Sequence, residues 1–238
     1  MTAHIVRSYD AELNELDRTT AQMGGLAEAL LRDAFQALER RDPELAEKAV
    51  TDDRAIDKLE RELQDRAILM IARRQPMAND LRHIMTVLKI AGDLERIGDL
   101  AKNVAKRALA IAGEHHPKQL IAGLGHMGEL AARQLKDVLD AFGEKNDEKA
   151  LAVWRSDARL DALYNSVFRE LLTYMMEDPR NIGLCTHLLF GAKNVERIGD
   201  HTTNIAENIH YLVTGSVLAD ERDKGDDTAS IVIAKPAE

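Results

Sequence analysis

The chain has 238 residues, enough for one large domain or for two smaller ones that each bury an apolar core. Its net charge of −9 argues against nucleic acid as a partner, because proteins that bind nucleic acid usually carry a basic surplus. The single cysteine, Cys185, excludes an intramolecular disulfide and fits the reducing cytosol. The sequence holds no apolar run long enough to span a membrane and no apolar segment near its start, so we predict no transmembrane segment, no signal peptide and a cytoplasmic location.

Six helical segments are predicted along the chain. Aromatic residues make up only 4% of it, and apolar residues recur at helical spacing, which favours long helices over strands. Asp42-Pro43 and Asp178-Pro179 are start signals, because aspartate caps a helix and proline fits the first turn. The segments span residues 8–40, 43–74, 79–112, 118–142, 146–177 and 179–213. They predict an all-α protein.

The second half of the chain repeats the first. The motif Glu-Arg-Ile-Gly-Asp at residues 95–99 recurs identically at residues 196–200. Matching positions are 104 apart before Pro76 and Pro179 and 101 apart after them. We therefore predict two tandem three-helix bundles, related by internal duplication and packed side by side. The predicted units are residues 1–114, residues 115–214 and a flexible polar tail at residues 215–238.

Each predicted repeat carries acidic side chains four residues apart on two of its helices. Like charges at this spacing cost an isolated helix about 0.2–0.5 kcal/mol per pair, so their recurrence suggests a cation that offsets the cost. Carboxylate and amide oxygens suit Mg²⁺, Ca²⁺, Mn²⁺ or iron. Ordinary salt bridges, such as Arg96 with Asp99, are the alternative. The candidate metal ligands are Asp53, Asp57, Glu95, Asp99, Asp157, Asp161, Glu196 and Asp200, with Asn103 and Asn204 as additional oxygen ligands.

Gly98 and Gly199 stand inside the repeated motif. A glycine within a helix lets a second helix approach closely, whereas a helix interior offers no free N–H groups to bind phosphate. We interpret both glycines as sites of close helix approach. No organic cofactor is predicted, because the sequence has no Walker loop and no GxGxxG motif.

Three arginines gather around the predicted turn between the second and third helices. Arg73, Arg74 and Arg82 have no basic counterparts in the second half. Such a cluster can bind an acidic partner, and we name these residues as candidate partner-binding residues. The alternative is that Arg73 and Arg74 only stabilise the C-terminal end of a helix dipole.

These motifs resemble one known family. The duplicated Glu-Arg-Ile-Gly-Asp, the turn Arg-Gln-Pro-Met-Ala-Asn-Asp-Leu-Arg at residues 74–82 and the segment at residues 171–178 are similar to PhoU proteins, accessory proteins of phosphate transport. The resemblance covers residues 8–214. It implies two three-helix bundles with pseudo-twofold symmetry, in a cytoplasmic and often homodimeric protein. It also implies divalent ions, iron, zinc or magnesium among them, on the acidic motifs.

The resemblance further implies a regulatory adaptor and no enzymatic activity. Members of the family couple the ATPase of the phosphate ABC transporter to the phosphate-sensor histidine kinase, and they negatively regulate phosphate uptake and the phosphate-starvation response. Two alternatives stay open. One is a metal-dependent enzyme, although the chain has only one Glu-x-x-His pair, Glu207 and His210, where di-iron bundles need two. The other is a purely structural helical scaffold.

Overall fold

The structure is a computed structural model that describes residues 2–113 and 118–218, with side chains described from residue 9 and from residue 120 in the two stretches. All regular elements in these stretches are helices, which confirms the predicted all-α class. They are α1 (Thr2–Arg40), α2 (Pro43–Arg74), α3 (Asn79–Ile111), α4 (Lys118–Glu144), α5 (Asp147–Ser156), α6 (Ala158–Glu177) and α7 (Ile182–Thr214). A short 3-10 helix (Pro179–Asn181) precedes α7. The predicted boundary at residue 114 and residues 219–238 of the predicted tail at 215–238 lie outside the described residues.

The prediction of one continuous fifth helix is wrong, because the helix is interrupted at Asp157. Ser156 Oγ donates a hydrogen bond to the Val153 carbonyl at 2.8 Å, and such bonds back to the preceding turn bend helices. The Leu160 N–H then donates to the Asp157 carbonyl at 2.8 Å, three residues back, which tightens the turn. Asp157 keeps helical dihedral angles, φ −60° and ψ −38°, so α6 continues the path of α5.

Helix starts at equivalent positions of the two halves are built alike. Asp42 caps α2 by accepting a hydrogen bond from the Leu45 N–H at 3.0 Å. Asn146, 104 positions later, caps α5 by accepting from the Lys149 N–H at 3.1 Å. Each cap satisfies an N–H group that the helix itself leaves without a partner. The duplication seen in the sequence is therefore repeated in the local structure.

The two halves meet along α3 and α7, which run antiparallel. Near one end of the pair the Arg107 guanidinium lies 4.9 Å from the centre of the Phe190 ring. In the middle His201 Nδ1 lies 2.9 Å from Asp93 Oδ1. At the other end the Arg82 guanidinium lies 5.5 Å from the centre of the Tyr211 ring. The helices have 33 residues each, about 50 Å, so they stay in contact along most of that length.

A second, reciprocal contact joins α1 to α4. Gly24 of α1 receives the side chain of Leu139, and Gly128 of α4 receives the ring of Phe35. Gly24 and Gly128 are equivalent in the two repeats, and so are Phe35 and Leu139, each pair 104 positions apart. This reciprocity is the geometry of a twofold interface. Together with the single continuous apolar core, it confirms two duplicated bundles packed side by side.

Candidate functional site

The repeated motif of the first half lies against α2, and its glycine contacts α2 side chains. A Cβ atom added to Gly98 would lie 2.9 Å from Ile56 Cδ1 and 3.1 Å from Asp53 Oδ1. Any larger residue would therefore displace the side chains of Ile56 and Asp53 from this contact. The interpretation of Gly98 as a site of close helix approach is confirmed, and the approach carries the Asp53 carboxylate to α3.

The second half has the same arrangement. A Cβ atom added to Gly199 of α7 would lie 3.0 Å from Asp157 Oδ1 and would also collide with the side chain of Leu160. Asp157 and Leu160 are three residues apart, as are Asp53 and Ile56. Each repeat thus places one aspartate and one branched apolar side chain against the glycine of its motif.

Lys102 lies between two of the predicted ligands of the first repeat. Its Nζ donates a hydrogen bond to Asp53 Oδ2 of α2 at 2.5 Å and another to Asp99 Oδ1 of α3. Asp53 is only 3% exposed, and its Oδ1 is buried without a hydrogen bond. The ammonium group therefore joins carboxylates from two helices, in the position where the sequence predicts a metal ion.

Burial sets the electrostatics of this cluster. It raises the pKa of Asp53 above the usual aspartate value, and the hydrogen bond from Lys102 acts in the opposite direction. Burial alone would lower the pKa of Lys102, but the hydrogen bonds to Asp53 and Asp99 outweigh it and raise that pKa well above the usual lysine value. A charged ammonium beside charged carboxylates is the state that these contacts favour.

The other predicted ligands of the first repeat surround this ion pair. Burial, and next the charge of Asp99, raise the pKa of Glu95. The guanidinium of Arg96 lies 3.5 Å from Glu95 and 3.6 Å from Asp99, as the salt-bridge alternative predicts for Asp99. Asp57 and Asn103 are half-buried on α2 and α3. Asp57 is close enough to raise the pKa of both Asp53 and Glu95 through its charge.

In the second repeat a lysine at a different position contacts one of the acids. Asp157, Asp161 and Glu196 are buried, and Asp200 is half-buried. The Lys193 Nζ lies 2.9 Å from Glu196 Oε1. This lysine stands one turn before the motif, where the first repeat has a glycine, and the position equivalent to Lys102 is a threonine.

Two polar residues near this second cluster form hydrogen bonds, one to the backbone of α7 and one to the other repeat. Thr203, equivalent to Lys102, donates its hydroxyl hydrogen to the Gly199 carbonyl at 2.9 Å. Asn204, a predicted oxygen ligand, is exposed and donates from its amide nitrogen to Asp93 Oδ1 of α3 at 3.3 Å. Its described contact therefore runs across the interface between the repeats.

These arrangements do not fit a metal ion as they stand. Among the described residues, no group of three or more His, Cys, Asp or Glu side chains converges as metal ligands would. In the first repeat the space between Asp53 and Asp99 holds an ammonium group. Metal binding by the predicted ligands stays a prediction, and the salt-bridge alternative has direct support from the contacts of Lys102 and Lys193.

The three arginines of the α2–α3 turn have separate environments. Arg73 is exposed and lines a groove between α1 and α2. Arg74 binds Glu12 of α1 through two hydrogen bonds, Nη2 to Oε1 at 2.6 Å and Nε to Oε2 at 3.3 Å. Arg82 is half-buried against Tyr211 near the end of α7. Two of the three therefore hold helices together, and Arg73 is the one that is open to solvent.

Comparison with known proteins identifies the family. The family model described as the PhoU domain matches residues 20–108 and again residues 124–209. The chain belongs to the PhoU family. The two matched segments correspond to the two halves related by duplication, so each half matches the PhoU domain separately.

Relatives match the chain over nearly its full length. The phosphate-specific transport system accessory protein PhoU homolog of Rhizobium meliloti (strain 1021) is 54% identical over 229 residues, 96% of this chain and 97% of that protein. The protein of the same name from Caulobacter vibrioides (strain NA1000 / CB15N) is 50% identical over 95% of this chain and 98% of its own length. The crystal structure of PhoU from Pseudomonas aeruginosa superposes with a TM-score of 0.85 at 39% identity, covering 87% of this chain and all (100%) of that one.

The sequence predicts no transmembrane segment. None of the described helices combines the length and apolar character that a membrane-spanning helix requires.

Proposed function

We propose that this chain is a regulatory adaptor that negatively regulates phosphate uptake and the phosphate-starvation response. It would do so by coupling the ATPase of the phosphate ABC transporter to the phosphate-sensor histidine kinase. The proposal is carried by the likeness over 96% of the chain to a protein named as an accessory protein of the phosphate-specific transport system. A crystal structure described as the phosphate transport system regulatory protein PhoU from Streptococcus pneumoniae, with a TM-score of 0.81 and 29% identity, further supports it. A cytoplasmic location and a homodimer belong to the same proposal.

The α2–α3 turn is the surface that we propose for partner binding. Met77, Leu81 and Met85 follow one another at four-residue intervals from the turn into α3 and are 80%, 37% and 43% exposed. Apolar side chains grouped at a surface mark interaction sites, and methionine adapts readily to a partner's shape. Arg73, at the end of α2, adds an exposed positive charge next to this turn. An acidic partner surface with an apolar centre fits this combination.

The enzyme alternative receives no support from the Glu-x-x-His pair. Glu207 Oε1 accepts a hydrogen bond from Trp154 Nε1 at 2.9 Å, and His210 Nδ1 lies 2.7 Å from Asp147 Oδ1. Both side chains therefore connect α7 to α5. We propose no reaction for this chain.

Deletion of the gene tests the proposed function. In excess phosphate, a strain without the gene should show high alkaline phosphatase activity and faster phosphate uptake, because the starvation response is no longer repressed. The parent strain and a strain with the gene restored should show low activity. Equally low activity in all three strains, in an organism with no second copy, would contradict the proposal.

A matched pair of substitutions tests the proposed surface. Met77→Glu should raise alkaline phosphatase activity in excess phosphate toward that of the deletion strain, because a carboxylate would repel an acidic partner. Met176→Glu is the control, since Met176 lies near the corresponding turn of the second repeat and is 86% exposed. Both proteins should unfold at the temperature of the parent, because neither side chain is buried. Equal repression by the two variants would exclude the α2–α3 turn as the partner surface.

A further inference from the structure

A tethered cation already occupies the acidic site of the first repeat. The Lys102 Nζ contacts one carboxylate on α2 and another on α3, Asp53 and Asp99, with 2.5 Å between Nζ and Asp53 Oδ2. The Lys102 side chain is 20% exposed and the Asp53 side chain 4% exposed, so the contact is largely shielded from water. The ammonium group therefore bridges the helices, a role that the sequence pattern suggests for a metal ion.

A divalent ion would have to displace this lysine. Ammonium and metal ion are both positive, so they cannot share the space between two carboxylates at close range. Because Lys102 is part of α3, its charge is always present at high local concentration, whereas a metal ion must come from solution. Expelling the ammonium would also cost its two charge-assisted hydrogen bonds. The site therefore discriminates against metal ions through a repulsive group.

In the second repeat, too, a lysine lies beside a buried carboxylate and compensates its negative charge. Its cluster also includes one lysine in contact with an acid, Lys193 with Glu196 at 2.9 Å. The two lysines occupy non-equivalent positions, since the counterpart of Lys193 is Gly92 and the counterpart of Lys102 is Thr203. The two copies thus place a lysine beside an acid in different ways, Lys102 between two helices and Lys193 beside an acid of its own helix. A buried carboxylate is stabilised by a nearby cation, and in both repeats a lysine of the same repeat lies beside a buried acid.

We propose that Lys102 is the resident cation of the first repeat and that it keeps divalent metal ions out of the space between Asp53 and Asp99. This role of Lys102 involves only the chain's own residues and does not depend on the proposed regulatory function.

Manganese binding tests the proposal in two independent ways. The full chain, stripped of metal with a chelator, is titrated with Mn²⁺ while electron paramagnetic resonance measures the free ion. Asp53→Asn should leave the number of bound ions unchanged from the parent, because no ion is held there. Lys102→Met should bind about one ion more than the parent, because removing the ammonium opens a site between carboxylates.

Two further variants complete the design. Lys102→Met combined with Asp53→Asn should lose the additional ion, which assigns it to this site. Lys106→Met, one turn along α3 and exposed, should bind as the parent does. A parent protein that loses one bound ion on Asp53→Asn, or a folded Lys102→Met protein that gains none, would overturn the proposal. If Lys102→Met does not fold, Lys102→Gln provides the same test with a polar neutral side chain, and the Asp53→Asn comparison needs neither variant.

Discussion

Replacing Lys102 by methionine should lower the free energy of unfolding by about 3 kcal/mol, the lower end of the range for breaking a buried ion pair. The change leaves the Asp53 carboxylate, 3% exposed, without its cation, while the methionine keeps most of the apolar contacts of the lysine stem. The lower end applies because the lysine side chain is itself 20% exposed. Urea denaturation followed by circular dichroism measures the effect.

A double substitution shows how much of the stability lost in Lys102→Met comes from the uncompensated Asp53 charge and how much from lost packing. Asp53→Asn in the Lys102→Met background removes the stranded charge and should recover more than half of the lost stability. Lys106→Met, the exposed control on the same helix, should change stability by less than about 0.5 kcal/mol. A Lys102→Met protein as stable as the Lys106→Met protein would mean that the ion pair does not stabilise the bundle.

Leucine in place of Gly128 should destabilise the protein by about 3 kcal/mol, at the upper end of the usual cost of overpacking. Three ring atoms of Phe35 lie close to the position that a Cβ atom would take, two of them at 2.5 Å. The ring is 7% exposed, and it would have to leave its packed position for the groove between α1 and α4 that it lines together with Gly128. The added side chain would therefore disrupt the packing of α1 against α4. Thermal and urea denaturation measure the loss.

Gly25 provides the matched control for this change. It lies in α1, is exposed, and a Cβ atom there would meet nothing within 4 Å. Gly25→Leu should therefore be neutral or slightly stabilising, because leucine favours the helix more than glycine does. The double variant Phe35→Ala, Gly128→Leu should lose less stability than the sum of the losses in the two single variants, because the leucine fills the space left by the ring. Strictly additive losses would show that the two residues do not contact one another.

The helices could be predicted from sequence because their signals are local. Asp42 and Asn146 cap helices through N–H groups three residues away, and such signals do not depend on the rest of the fold. The interruption at Asp157 could not be predicted in this way. It accompanies a hydrogen bond from Ser156 to its own helix, and Ser156 in turn accepts one from Gln134 Nε2 of α4 at 2.9 Å. That partner is 22 residues away and meets Ser156 only after the helices pack.

The sequence predicts Asp53 and Asp99 as ligands of a metal ion, and that binding stays a prediction. In the structure both carboxylates contact the Lys102 ammonium group, and Gly98 lies against Asp53 and Ile56 of α2. The role of Lys102 was missed, although its position three residues after Asp99 was a signal for a salt bridge. Its second contact, to Asp53, depends on the register of α2 against α3. Sequence spacing within one helix does not determine that register.

The reciprocal contacts between α1 and α4 have a consequence for how the molecule can evolve. In a symmetric dimer of two identical bundles, one mutation appears in both bundles and therefore changes both sides of their interface at once. Here each side is a separate stretch of sequence, so Phe35 and Leu139 differ while filling equivalent spaces. The same independence applies to Met77 in the α2–α3 turn and to Met176 at the end of α6. Fusion into one chain therefore lets the surface at one turn change without a matching change at the other.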